Sequence, residues 1–181
     1  MGRMIGKTVV LREYRREDLS AIRSWINDGE TTRYLGGSFR RPQTWEQTET
    51  MLERRLDGDV GGEGFVIADR ESMAYLGQCD LMMIDNVARR AEIAVVLMPG
   101  ARGRGAAFEG LSLLLSYAFD TLNLNRVWLR CAAENAPAIS LYERLGFRRE
   151  GILREDLFID GHAQDAIVMG LLRSEFFGGR V

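Results

Sequence analysis

A short glycine-rich segment, Arg102-Gly103-Arg104-Gly105-Ala106-Ala107, constrains the fold of this 181-residue chain more than any other feature. It follows an apolar run, Ile93 to Met98, and precedes a long amphipathic segment that begins near Ala106. A strand that turns through glycines into a helix presents several unpaired backbone N–H groups to one point. The segment therefore predicts an α/β unit with a phosphate-binding turn at the start of the helix.

Two common phosphate-binding motifs do not fit this segment. A P-loop requires Lys and Ser or Thr directly after its last glycine, whereas Ala106 and Ala107 follow Gly105. A dinucleotide-binding G-x-G-x-x-G motif requires a third glycine, and this chain has Phe108 there. The remaining pattern is R-x-x-G-x-A, from Arg102 to Ala107. For so short a pattern, a glycine-rich turn without a ligand is the alternative.

Length and charge limit the classes of protein to consider. A chain of 181 residues is long enough for one domain with its own core, and we expect a single domain over residues 1–181. The net charge of −2 gives no positive field that would favour nucleic acid as a partner. Residues 1–6 lack the apolar core of a signal peptide, and no apolar run approaches 18 residues. We therefore expect a cytoplasmic protein without a membrane partner.

The cysteines and the histidine argue against metal chemistry. Cys79 and Cys131 each lie inside an apolar segment, which predicts two buried, reduced thiols. They lack metal-ligand spacing, and His162 is the only histidine. We therefore expect neither a metal site nor a His-based catalytic triad, and we expect His162 to be a solvated loop residue.

Hydrophobic periodicity and turn signals predict an α/β domain. Strands are predicted at 7–13, 64–68, 73–83, 90–98, 126–132, 148–159 and 163–172, and helices at 17–27, 44–56, 106–122 and 135–146. Thr44 with Gln47 forms a capping-box pattern, Asn135 is a typical N-cap, and Asp160-Gly161 is a hairpin turn signal. We expect a mixed sheet of about seven strands, flanked by about four helices on both faces.

Three spaced motifs resemble the GNAT superfamily of N-acetyltransferases. The first is the loop from Arg102 to Ala107, and the second is Asn135 to Phe147, which matches N-x-x-A-x-x-L-Y-x-x-x-G-F. The third is Glu150-Gly151 with the hairpin through Leu172, which resembles the branch of ribosomal-protein N-terminal and spermidine N-acetyltransferases. The resemblance covers about residues 7 to 176. It implies the GNAT fold, acetyl-CoA as cosubstrate and transfer of an acetyl group to a primary amine.

The resemblance also implies which residues contact acetyl-CoA. Backbone groups of the strand would pair with the pantetheine arm, and backbone N–H groups of the loop would hold the pyrophosphate. Asn135 and Ala138 would contact the cofactor from the second motif, and Arg144 would meet the 3′-phosphate. Arg102 and Arg104 either add positive charge or are simply solvated. The complete set is Val95, Val96, Leu97, Arg102, Gly103, Arg104, Gly105, Ala106, Ala107, Asn135, Ala138 and Arg144.

Two side chains are candidates for catalysis. A tyrosine has a pKa of about 10 and a thiol about 8.5, so Tyr142 would be protonated at neutral pH and would serve as general acid to the thiolate. The alternative for Tyr142 is a core aromatic on an amphipathic helix. Glu92 is the candidate general base, acting through a water, because a carboxylate beside an apolar strand must face a cleft or be paired. The alternative for Glu92 is an ion pair with Arg89 or Arg90.

The acceptor is the least specified part. We favour a protein N-terminal α-amine attacking directly in a ternary complex, because its pKa of about 8 leaves more neutral amine than a lysine-like amine. A polyamine or aminoglycoside-type amine is the alternative, and a non-catalytic acetyl-CoA sensor is another. The acceptor site is expected between residues 27–44 and the C-terminal hairpin, with a homodimer possible by analogy. Its candidates are Asp28, Glu30, Tyr34, Asp80, Glu155 and Asp156.

Overall fold

The computed structural model describes residues 4–58 and 61–178. Outside the described residues lie 1–3, 59–60 and 179–181. The first of these ranges belongs to the segment considered as a signal peptide, and the second to the turn after the second predicted helix. The strands are β1 (Met4–Ile5), β2 (Val9–Arg12), β3 (Gly62–Asp69), β4 (Tyr75–Asp85), β5 (Arg90–Leu97), β6 (Arg126–Ala132), β7 (Arg148–Ile159) and β8 (His162–Leu172). The α-helices are α1 (Leu19–Ile26), α2 (Gly29–Thr32), α3 (Trp45–Leu56), α4 (Ala106–Ser116), α5 (Ala136–Arg144) and α6 (Arg173–Gly178).

The strands form one mixed sheet in the order β1-β2-β3-β4-β5-β6-β8-β7. The β5–β6 pair is parallel, and the other pairs of described strands are antiparallel. This confirms the predicted α/β class and mixed sheet. The structure adds β1, which pairs with β2 at the sheet edge. It also adds α2 in a segment that was predicted to be irregular, where Asp28 accepts a hydrogen bond from the Thr31 N–H at 2.9 Å.

The local sequence signals define element ends as predicted. Thr44 and Gln47 form a reciprocal capping box at the start of α3. The Asn135 side chain accepts a hydrogen bond from the Ala138 N–H at 3.3 Å and caps α5. Asp160 and Gly161 both have positive φ, 52° and 81°, as the tight turn between β7 and β8 requires.

Helices cover both faces of the sheet, and each face has its own apolar cluster. On one face α4 and α5 pack on β5, β6 and β8 through a large cluster that includes Leu111, Leu129 and Met169. On the other face α1 and α3 pack through a smaller cluster around Trp25 and Val66. No helix within the described ranges is long and apolar enough to cross a membrane.

A buried ion pair fixes the start of α1 to the sheet. Arg12, at the end of β2, and Asp18, directly before α1, are joined at 2.7 Å, and their side chains are 2% and 3% exposed. Asp18 also accepts a hydrogen bond from the Arg15 N–H at 2.8 Å. The attraction between two desolvated charges depends on both partners being present, because either one alone would be a buried unpaired charge.

We predict that Asp18→Asn destabilises the protein strongly. Removing the carboxylate leaves the Arg12 guanidinium buried without a counter-charge, so the free energy of unfolding should fall by about 3 kcal/mol or more. Urea denaturation measures this loss. The control is Glu17→Gln, which removes an exposed carboxylate 3.6 Å from Arg15 and should cost less than about 1 kcal/mol. Equal effects of the two variants would contradict the prediction.

Candidate active site

The central feature of the site is a gap between the parallel strands β5 and β6. Their register pairs stop after Arg90–Arg126, Ala91–Val127 and Glu92–Trp128. Beyond that point β5 continues along β4 to the Leu97–Gly77 pair, and β6 continues along β8 to the Ala132–Ala166 pair. The β5 edge from Ile93 onward therefore has backbone groups without a strand partner on this side. An extended molecule can bind there as a strand would.

The gap opens into a cleft of about 790 Å³. Its walls come from β5, β6, α2, α5 and the β7–β8 hairpin. Among the predicted site residues, those that line it are Glu92, Val95, Val96, Leu97, Arg102, Asn135, Ala138 and Tyr142. The structure thus brings the strand residues, the second motif and both catalytic candidates together.

The glycine loop lies next to this cleft and continues into α4. Gly103 and Gly105 have φ values of 74° and 83°, in the left-handed region, and Gly105 occupies the N-cap position of α4. No side chain caps that position, so the N–H groups of the first turn remain available to an anion. Arg104, Ala106 and Ala107 complete this loop and first turn. The arrangement can bind a phosphate through backbone donors.

Two arginines flank the loop in different ways. Arg102 donates a hydrogen bond to the Thr31 hydroxyl at 2.6 Å and so joins the loop to α2. The Arg144 guanidinium lies 4.9 Å from the ring centroid of Phe108, which belongs to the first turn of α4. Arg144 is absent from the residues lining the cleft, but its contact with Phe108 places it beside the first turn of α4, which would hold an anion.

Side chains alternate along β5, so the two catalytic candidates approach the gap from opposite faces of the sheet. Val95 and Leu97 pack in the cluster that contains Tyr142 of α5, whereas Val96 packs in the cluster of the α1–α3 face. Glu92 is an even number of residues from Val96 and therefore shares its face. A reacting group in the gap can thus be reached by a carboxylate from one side and a phenol from the other.

Burial shapes the ionisation of both groups. Tyr142 is 6% exposed and its ring is edge-on to Phe147, with ring centroids 5.6 Å apart. Desolvation raises the pKa of Tyr142, and negative charge on Cys131 and Glu92 adds to this. Desolvation also raises the pKa of Glu92, while the charge of Arg130 opposes it. Tyr142 therefore keeps its proton, and Glu92 gains basicity.

The alternative of an ion pair between Glu92 and its neighbouring arginines is not what the structure shows. Arg90 pairs with Asp85 at 3.7 Å, and Arg89 donates to Asn123. Glu92 instead lines the cleft. Cys131 also lines it and is only partly buried, which corrects the prediction that both cysteines lie in the core; Cys79 is fully buried. The difference arises because Cys131 lies on β6 beyond the point where β5 separates.

The acceptor-site candidates divide into two groups. Glu30, Tyr34 and Asp156 line the cleft. Asp28 caps α2 instead, and Glu155 is exposed at a β-bulge with its N–H donating to Asp165. The prediction for Asp80 was wrong: it forms an ion pair with Arg55, shielded from the cleft, because its side chain points beneath α3. His162 is exposed at the hairpin, as predicted.

Several cleft residues were not predicted from the sequence. Arg40 and Arg130 bring positive charge to the cleft, and Leu157 and Phe158 bring apolar surface from the hairpin. Arg40 donates a hydrogen bond to the Phe158 carbonyl, and Arg33 pairs with Asp160 at 2.8 Å. These contacts hold residues 29–40, which we call the α2 segment, against the hairpin. No short-range pattern marks such residues, because their proximity depends on contacts more than a hundred positions apart in sequence.

Comparison with known proteins agrees with this geometry. The model of the acetyltransferase (GNAT) domain matches residues 8–148. The spermidine N(1)-acetyltransferase of Vibrio cholerae is 31% identical over 169 residues, which cover 93% of this chain and 95% of that protein. The putative ribosomal N-acetyltransferase YdaF of Bacillus subtilis is 34% identical over 136 residues, 75% of this chain and 73% of that protein.

A solved structure shows the same arrangement of elements. The crystal structure of spermidine N-acetyltransferase from Vibrio cholerae in complex with CoA and spermine superposes with a TM-score of 0.84 at 31% identity. The match covers 95% of this chain and 99% of that one. Together with the divergent β5–β6 pair and the uncapped glycine loop, these similarities show that the chain belongs to the GNAT acetyltransferase family and is an acetyl-CoA-dependent N-acetyltransferase.

Proposed function

We propose that the acceptor is the primary amine of a small polycationic molecule of the polyamine class. The similarity to spermidine N-acetyltransferases over nearly the whole chain carries this proposal. The cleft supports it, because the carboxylates of Glu30 after the start of α2, Glu92 on β5 and Asp156 on β7 all line it. From the sequence we favoured a protein N-terminal α-amine, but the similarity to spermidine N-acetyltransferases supports the small-molecule alternative better.

A protein N-terminus is the second candidate. The similarity to a putative ribosomal N-acetyltransferase favours it. Arg40 and Arg130, which line the same cleft as the carboxylates, also favour it. Guanidinium groups can donate hydrogen bonds to the peptide carbonyl beside an α-amine, whereas the protonated amines of a polyamine offer them no acceptor.

Acetyl-CoA, which supplies the activated acetyl group, fits the residues along the gap. The open edge of β5 at Val95, Val96 and Leu97 offers backbone partners to the pantetheine arm, and the loop from Gly103 to Ala107 offers N–H donors to the pyrophosphate. A Cβ built on Gly103 or Gly105 would meet nothing within 4 Å, so these glycines are needed for their positive φ. Asn135 and Ala138 line the cleft from α5, and Arg144, which lies over Phe108 of α4, would meet the 3′-phosphate.

The two catalytic candidates divide the proton transfers between them. The acceptor ammonium gives a proton to Glu92, directly or through a water, and its nitrogen keeps the electron pair. That nitrogen forms the new bond to the acetyl carbon as the carbon–sulfur bond breaks. The Tyr142 hydroxyl supplies the proton for the departing thiolate, and the second proton that the nitrogen loses as the amide forms passes through water to restore the phenol. Because the two groups lie on opposite faces of the sheet, neither blocks the path of the other.

A panel of amines tests the acceptor. Thiol release from acetyl-CoA is measured with spermidine, spermine, aminoglycosides, free amino acids and peptides with varied N-termini. We expect kcat/KM for the polyamines to exceed the other classes by about tenfold or more. Preference for peptides would establish the second candidate instead. Absence of turnover with every amine, together with acetyl-CoA binding in calorimetry, would favour a sensor.

We predict that Gly105→Ala weakens acetyl-CoA binding. The left-handed backbone at this position is strained for alanine, and a shift of the loop would misplace at least one charge-assisted hydrogen bond to phosphate. The dissociation constant measured by calorimetry should rise about tenfold. The control is Gly100→Ala, since Gly100 has neither a positive φ nor an atom within 4 Å of an added Cβ. Unchanged binding in Gly105→Ala would exclude the loop as the phosphate site.

We predict that Tyr142→Phe impairs turnover without weakening acetyl-CoA binding. The variant keeps the ring packed on Phe147 but removes the proton donor, so kcat should fall by about 10² to 10⁴. Steady-state kinetics and calorimetry measure the two effects separately. The control is Tyr117→Phe, which removes another buried phenol in the helical turn directly after α4 and should leave kcat unchanged. Full activity of Tyr142→Phe would exclude Tyr142 as the general acid.

A further inference from the structure

One arginine on the acceptor side of the cleft lies between two carboxylates. Arg130 is two residues beyond Trp128, the register partner of Glu92, so it projects from the same face of the sheet as Glu92. Arg130 and Glu92 both line the cleft, on strands that diverge between them. The Arg130 guanidinium is also 3.2 Å from Asp156 on β7. The side chains of Arg130 and Asp156 are 47% and 31% exposed, so this pair is only partly desolvated.

The other cations near the cleft are engaged elsewhere. Arg102 donates to Thr31, and Arg40 donates to the Phe158 carbonyl. Arg130 is the cation whose charge acts on Glu92 against the effect of burial. The titratable and charged groups that face this part of the cleft from all surrounding elements are Glu30, Tyr34, Arg40, Arg102, Arg130, Cys131, Tyr142 and Asp156.

We propose that Arg130 is a positioning residue that keeps the Glu92 carboxylate ionised in the half-buried cleft, and that Asp156 limits how much of this charge Glu92 experiences. The proposal rests on the base role of Glu92 proposed above. A carboxylate that loses hydration must be stabilised by a cation, or it stays protonated and cannot accept the acceptor's proton. Asp156 acts in the opposite direction, because it is itself negative and it holds the Arg130 guanidinium.

The test measures the ionisation of Glu92 directly, without an acceptor. The full-length protein is labelled with ¹³C at glutamate carboxyl groups and titrated by NMR, with Glu92→Gln used to assign the Glu92 signal. In Arg130→Gln the pKa of Glu92 should rise by about half a unit or more. It should lie closer to the wild-type value in Arg130→Lys, which restores the charge. In Asp156→Asn, an exposed substitution that keeps Arg130, it should fall.

Arg148→Gln is the matched control, because the exposed Arg148 pairs with Glu175 of α6 at 3.0 Å and does not line the cleft. This variant should leave the Glu92 titration unchanged. An equal shift in Arg148→Gln, or no shift in either Arg130→Gln or Asp156→Asn, would overturn the proposal. If Arg130→Gln fails to fold, the downward shift in Asp156→Asn still decides it.

A kinetic measurement separates this proposal from the proposed function. With an active acceptor, the acidic limb of kcat/KM against pH should move upward in Arg130→Gln and downward in Asp156→Asn, parallel to the titrations. Loss of the limb in Glu92→Gln supports the base role. A limb that persists in Glu92→Gln would overturn both the base role and the function given to Arg130. The choice between polyamine and peptide does not affect the NMR result.

Discussion

The divergence of two parallel strands is the constraint on which the rest of this structure depends. β5 and β6 pair at three positions and then follow different neighbours, β4 and β8. Gly77 of β4 allows β5 to lie close to β4, because a Cβ at this position would overlap the Val96 carbonyl oxygen. Beyond these positions the two strands no longer hydrogen-bond to each other, and the cleft between them has unpaired backbone donors and acceptors. In a continuous sheet the same sequence would have no site at this position.

The two faces of the sheet contribute different groups to the cleft. In the proposed function, the α4–α5 face supplies the helix start that would hold the pyrophosphate and the buried phenol of Tyr142, and the α1–α3 face supplies Glu92. Burial raises the pKa of both groups, with opposite consequences. It strengthens the hold of Tyr142 on its proton, and it makes Glu92 a better base. An acid and a base can therefore function at one pH in one cleft.

The side of the cleft where we propose that the acceptor binds is formed by two segments that are distant in sequence. The α2 segment is tied to the β7–β8 hairpin by Arg33 with Asp160 and by Arg40 with Phe158. Both carboxylates and guanidinium groups line the cleft, so its charge is more balanced than that of a purely acidic slot. In the proposed function, an amine that binds here competes with these guanidinium groups for the carboxylates, including Asp156, which pairs with Arg130 at 3.2 Å.

The sequence alone determined the elements that depend on local chemistry. The capping box at Thr44, the N-cap at Asn135 and the turn at Asp160-Gly161 were predicted because neighbouring residues satisfy one another's backbone groups. The alternating and helical patterns predicted the sheet and its four main helices. Only the tertiary structure decided the pairing of Asp80 with Arg55, the partial exposure of Cys131 and the position of Arg130 beside Asp156. Those outcomes depend on where β5 leaves β6 and on long-range packing, which no local pattern encodes.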